Sequence, residues 1–74
     1  MKEFKVKLAS LTDVRDFAQA AGMQHCQIEV VSGQYILDAT SIMGLVSLDP
    51  NEPLTVRFHG SAEMADAFFQ DIQD

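Results

Sequence analysis

The sequence predicts an α/β chain of the α+β kind: an open-faced β-sandwich whose four-stranded, mostly antiparallel sheet is covered on one face by helices. Three observations carry that expectation. Apolar and polar residues alternate at Phe4–Ala9, Gln27–Val31 and Leu54–His59, the period of half-buried strands. Two further stretches, after Ser10 and after Ser61, repeat apolar residues at helical spacing. The resulting order is β-α-β-β-α-β-α with a short middle helix, and a sheet with one apolar face needs those helical stripes to cover it.

Each element follows from its residues. Phe4, Val6 and Leu8 point one way and Lys5, Lys7 and Ala9 the other. Ser10 or Thr12 then caps a helix, with Asp13 favourably placed in its first turn. Val14, Phe17, Ala18 and Ala21 form its buried stripe, Arg15, Asp16 and Gln19 its wet side, and Gly22 its stop. A strand–helix–strand start favours a right-handed crossover, which makes the second strand parallel to the first. After Gln27–Val31, Ser32-Gly33 supplies a tight turn and Gln34–Asp38 returns as the partner strand. Thr40–Leu48 opens with two hydroxyls and continues as a short apolar helix. Asp49-Pro50-Asn51-Glu52-Pro53 is a loop. Leu54, Val56 and Phe58 face inward on the last strand, with Thr55, Arg57 and His59 outside. Gly60 breaks it, Ser61 caps the final helix, and Ala65, Phe68, Phe69 and Ile72 form that helix's packing stripe.

The 74 residues are expected to form one domain, 1–74, since no linker, repeat or second core is visible. A net charge of −6 argues against a nucleic-acid partner, because phosphate backbones are bound by excess Lys and Arg. The lone Cys26 has no partner for an internal disulfide. Met1-Lys2-Glu3-Phe4-Lys5 does not read as a signal peptide, and no apolar run approaches membrane-spanning length. A cytoplasmic protein that docks on larger proteins is expected, without membrane insertion. Lys5, Lys7 and Arg57, with His59 beside them, are expected to make the sheet face basic, against Glu63, Asp66, Asp71 and Asp74 on the last helix.

Thr40-Ser41-Ile42-Met43-Gly44-Leu45-Val46-Ser47-Leu48 is the most distinctive segment. Together with Phe4-Lys5-Val6, the strand leading into the segment and the Gly60 break, it resembles the phosphocarrier protein HPr of the sugar phosphotransferase system. The resemblance spans nearly the whole chain and is strongest from Ser32 to Gly60. It implies the same element order, protein partners, and a regulatory serine at Ser41, which aligns without a gap from Leu37 onward. It also implies that Ile42, Met43 and Val46 form a docking patch for partner helices. In a helix of two turns not all of Ile42, Met43, Leu45 and Val46 can face the core, so at least Met43 is expected to be exposed. The plainer alternative is a short amphipathic helix tucked on the sheet, with Thr40 or Ser41 as its cap.

The resemblance fails at the family's working residue, a histidine in a G-[LI]-H-A-R-P-A turn after the first strand. Here the turn reads Leu8-Ala9-Ser10-Leu11-Thr12-Asp13-Val14, about three residues shorter, without histidine or proline. Ser10 falls near the lost histidine and Thr12 near the lost arginine, and both read most simply as helix-cap residues. Thr40 also stands where many members carry a lysine. Phosphotransfer through the usual histidine is therefore not expected. The pattern is similar to the catabolite-repression HPr-like proteins, which lack the histidine and keep the serine. That similarity implies a serine kinase/phosphorylase or a catabolite-control repressor as partner, although the turn is shorter here than in that subgroup.

The chain shows no nucleophile–base pair, phosphate loop or supported carboxylate pair, so neither an enzyme nor a cofactor is expected. The alternative function is a small-molecule or metal-binding module on the same fold. It requires a concave polar pocket, or convergence of His25, Cys26 and His59. The two histidines belong at the end of the sheet opposite the Ser10 turn, and no C-x-x-C or H-x-x-x-H spacing supports a metal.

Overall fold

The computed structural model describes residues 2–73 and arranges them in the expected order. The elements are β1 (Lys2–Val6), α1 (Leu11–Gly22), β2 (Ile28–Ser32), β3 (Tyr35–Asp38), α2 (Ile42–Val46), β4 (Leu54–Phe58) and α3 (Ala62–Gln73). The strands form one sheet in the order β1-β4-β2-β3, and every hydrogen-bonded neighbour is antiparallel. β1 and β2 are joined through α1 and run parallel, with β4 between them.

The register explains the two faces. Phe4, Val56, Val30 and Leu37 lie in one row across the sheet, with Phe58 and Ile28 paired beside it. This face meets the stripe Val14, Phe17, Ala18 and Ala21 of α1 and Ala65 and Phe68 of α3, all buried. Phe68 is the centre of the core. Its ring lies 5.5 Å from that of Phe58, 5.9 Å from Phe17 and 6.3 Å from Phe4, each tilted rather than stacked. Phe4 and Val6 are only half-buried because β1 is an edge strand.

The helices start where their caps permit. Ser10 is the N-cap of α1: its Oγ accepts from the Asp13 N–H at 3.1 Å, while Asp13 Oδ2 reaches back to the Ala9 N–H at 3.3 Å. Ser61 opens α3 the same way, accepting from the Met64 N–H at 3.2 Å.

Two expectations need correction. The hairpin turn is Gly33-Gln34, not Ser32-Gly33, and Ser32 pairs with Tyr35 as the last rung. Gly33 has φ 59° and no other described residue has positive φ, so the turn has the type II′ pattern, whose first position glycine fills without strain. The open sheet face is also not basic. The same alternation that exposes Lys5 and Arg57 brings Glu3, Glu29 and Asp38 onto that face. Arg57 Nε lies 3.0 Å from Glu3 Oε2, and Lys5 Nζ donates to Thr55 Oγ1 at 2.6 Å. On α3, Glu63, Asp66 and Asp71 are exposed, and Asp66 pairs with Lys2 at 2.9 Å; Asp74 lies outside the described residues.

Candidate interaction site around the second helix

The site begins at the end of β3. Asp38 Oδ1 accepts from the Thr40 N–H at 2.8 Å and from the Thr40 hydroxyl at 2.5 Å. These bonds, the hydroxyl's foremost, hold the Asp38 carboxyl below its ordinary value of 3.8. The Ser41 N–H donates to the Asp38 carbonyl at 3.0 Å, so the chain turns sharply into α2. Asp and Thr favour such local turns because their short side chains reach backbone groups two residues on.

Ser41, not Thr40, is the N-cap of α2. Its Oγ accepts from the Gly44 N–H at 3.3 Å and its carbonyl from the Leu45 N–H at 2.9 Å. Ser47 closes the helix, its hydroxyl donating to the Gly44 carbonyl at 2.6 Å. Gly44 permits a close approach: a Cβ there would stand 3.0 Å from Ser41 Oγ and 3.3 Å from Leu37 Cδ1. Only Leu45 is buried. Ile42 is 41% exposed, Met43 82% and Val46 45%, so three apolar side chains of a five-residue helix face solvent.

The shortened turn lies next to this helix. A groove of about 250 Å³ runs between them, lined by Leu8, Leu11, Val14, Leu45, Val46 and Leu48. Leu11, 68% exposed, extends the apolar surface from α2 to the start of α1. Sequence reasoning missed it. Leu11 stands three residues before Val14, on the same helical stripe, but in the first turn of α1 it borders the groove beside Leu45 and Val46 and is not buried. Ser10 and Thr12 are exposed on the same turn, with Ser10 engaged as the cap.

The histidines lie elsewhere. Lys2, Phe58 and Ile28 are aligned across β1, β4 and β2, which puts His59 and the segment before β2 at the far end from the Ser10 turn. His59 Nε2 is 2.6 Å from Glu29 Oε1, and Cys26 Sγ packs toward Gly60. Among the described residues no three His, Cys, Asp or Glu side chains are arranged to hold a metal ion. A concave cleft of about 310 Å³ does occur between α1 and α3, with Phe17, Ala20 and Ile72 in its wall and Lys7, Asp13, Asp16 and Asp71 among its polar lining.

No family model matches the chain, and no curated protein matches its sequence. Among solved structures, the crystal structure of HPr-C-His from Thermoanaerobacter tengcongensis superposes with a TM-score of 0.78. The match covers 99% of this chain and 92% of that one at 23% identity. A likeness at that identity is one of fold. The chain has the HPr-like fold, with an apolar surface formed by α2 and the first turn of α1 and no histidine in the turn after β1.

Proposed function

We propose that this protein is a regulatory, protein-interaction relative of HPr that works through the Ser41–Val46 surface and does not carry phosphate on the usual histidine. One observation carries the reading: Ile42, Met43 and Val46 are exposed together on a helix whose cap is Ser41. Unsupported apolar groups so close together are costly to leave in water, and methionine adapts to varied partner surfaces. Phosphorylation of Ser41 would add nearly two negative charges beside that patch, and its oxygens could take over the Gly44 N–H now held by the hydroxyl. The partner class proposed is an HPr kinase/phosphorylase or a catabolite-control repressor, read through the serine rather than a histidine, in the cytoplasm.

Binding of each purified candidate partner to the wild type, Met43→Asp and Val46→Asp tests this. Loss of at least tenfold in affinity in both variants, with each still folded by thermal melting, is expected. Equal binding by all three proteins contradicts the proposed surface.

A second reading, a small-molecule module, is favoured by the cleft between α1 and α3, whose three carboxylates against one lysine suit a small organic cation. Spermidine titrated into the ¹⁵N-labelled protein would then shift Asp13, Asp16 and Asp71 amides in a saturable way. Uniform small drifts across the chain would count against it.

A further inference from the structure

β3 is an edge strand, and its backbone points usable groups outward. The Ala39 N–H donates to the Ile28 carbonyl at 3.0 Å, which makes Ile28–Ala39 a hydrogen-bonded pair. Antiparallel ladders alternate, so Val30–Leu37 is hydrogen-bonded as well, and Val31–Ile36 and Glu29–Asp38 are the pairs between. The N–H and C=O of Ile36 and the N–H of Asp38 are therefore directed to the open edge. The side chains there are apolar: Tyr35 is 61% exposed and Ile36 56%. The strand carries no lysine, proline or bulge of the kind that blunts edges. The other edge, β1, carries Lys2 and Lys5.

We propose that β3 pairs with β3 of a second copy, antiparallel and centred on Ile36, to make an isologous dimer with a continuous eight-stranded sheet. This register is the one that uses the outward groups. Ile36 of each copy exchanges N–H···O bonds with its counterpart, and the Asp38 N–H meets the Gln34 carbonyl of the other copy. On the open face the two Ile36 side chains meet, each flanked by its own Val31. On the helix face Tyr35 of one copy stands opposite Leu37 of the other. A recess of about 260 Å³ lined by Tyr35, Leu37, Ser47 and Leu48 lies at that position, so each tyrosine has a hollow beside it on the facing copy.

The strand's charges permit two-fold pairing, and symmetry favours it over the β1 edge. In the Ile36-centred register Asp38 faces the neutral Gln34, and no two like charges lie opposite each other, which two-fold pairing requires. Pairing β3 with β1 of the next molecule would instead be head-to-tail and would not close. Two Tyr35 rings, two Ile36 side chains and the recess walls offer on the order of 700 Å² in total, below the roughly 1,200 Å² of standard interfaces. The dimer is accordingly a weak one, forming at high concentration.

Sedimentation velocity from about 10 µM to 1 mM tests the pairing, with wild type, Ile36→Lys and Tyr35→Ser compared at 0.15 M salt. Both substituted positions are exposed, and thermal melting confirms that each variant is folded. The expected result is a monomer–dimer equilibrium in the wild type, weakened at least tenfold in each variant. Ile36→Cys in a Cys26→Ser background should oxidise to a linked dimer, whereas Glu63→Cys in the same background, exposed on α3, should not. A wild type that stays monomeric to 1 mM overturns the proposal and leaves the edge to a strand from another protein. A dimer that survives both substitutions overturns it in favour of a different face.

Discussion

Asp38 holds Thr40 by two hydrogen bonds to one carboxylate oxygen, from the backbone N–H at 2.8 Å and the hydroxyl at 2.5 Å. The pair fixes the angle at which the chain leaves β3 and enters α2, and so aims Ser41 and the apolar helix. Because these bonds favour the ionised carboxylate, its folded value lies below the ordinary 3.8. The stabilisation is complete above the unfolded value and disappears as pH falls through the depressed folded one. Thr40→Val removes the stronger bond and should lower the urea midpoint at pH 7. The difference from wild type should shrink steadily below about pH 4. Urea titrations of both proteins between pH 2.5 and 7 measure it; a difference that does not change with pH contradicts the assignment.

Ser10 is expected to act as a structural cap and not as a substitute phosphate acceptor. Ser10→Ala should cost about 1 kcal/mol, by freeing the Asp13 N–H. Asp13→Asn, which keeps an acceptor but loses the charge, should cost a few tenths of that. Chemical denaturation gives both values. Ser10→Gly should recover most of the loss, since glycine is tolerated at this position.

Gly60 is a tight spot at the far end of the sheet. A Cβ there would come within 2.7 Å of the Phe58 ring and 3.0 Å of Cys26 Sγ. Phe58 is fully buried and cannot yield without disturbing Phe68. Gly60→Ala should therefore destabilise by about 1–3 kcal/mol, as overpacking does. Adding Cys26→Ala relieves only one of the two clashes, so the double variant should recover part of that loss by differential scanning calorimetry.

The exposed apolar side chains predict the opposite pattern. Leu11→Ser and Met43→Asp remove surface that is mostly in water, so each should change stability by less than about 0.5 kcal/mol, and Val46→Asp, at 45% exposure, by less than about 1 kcal/mol. Thermal melts check this directly. A large loss at Val46 would mean that it packs within the fold rather than presenting itself to a partner.

Much of this architecture was legible in the chain because strand and helix periods were clean. The stripe of α1 and the inner face of β4 are buried residue for residue as the spacing required. The hairpin was misplaced by one residue because a polar Ser-Gly-Gln run does not reveal which position needs positive φ. The sheet face was misread because the three lysine and arginine positions were counted without their cross-strand neighbours Glu3, Glu29 and Asp38. Alternation already places Glu3 on the face of Lys5; which residues then pair across strands, as Arg57 does with Glu3, is fixed by tertiary register. At the site, Met43's exposure followed from helix length, whereas the cap was narrowed only to Thr40 or Ser41 and the structure assigns it to Ser41. Leu11's exposure did not follow, since what covers the first turn of α1 is set by tertiary packing around α2. The recess beside Tyr35 was equally invisible, because Ser47 and Leu48 reach it from another element.

Intact mass distinguishes regulation at Ser41 from phosphotransfer through a histidine. Wild type and Ser41→Ala would be incubated with the phosphotransferase system's enzyme I and phosphoenolpyruvate, and separately with HPr kinase and ATP. The expected result is one added phosphate from the kinase, absent in Ser41→Ala, and none from enzyme I. Phosphate transferred by enzyme I, or kinase labelling that persists in Ser41→Ala, would contradict it.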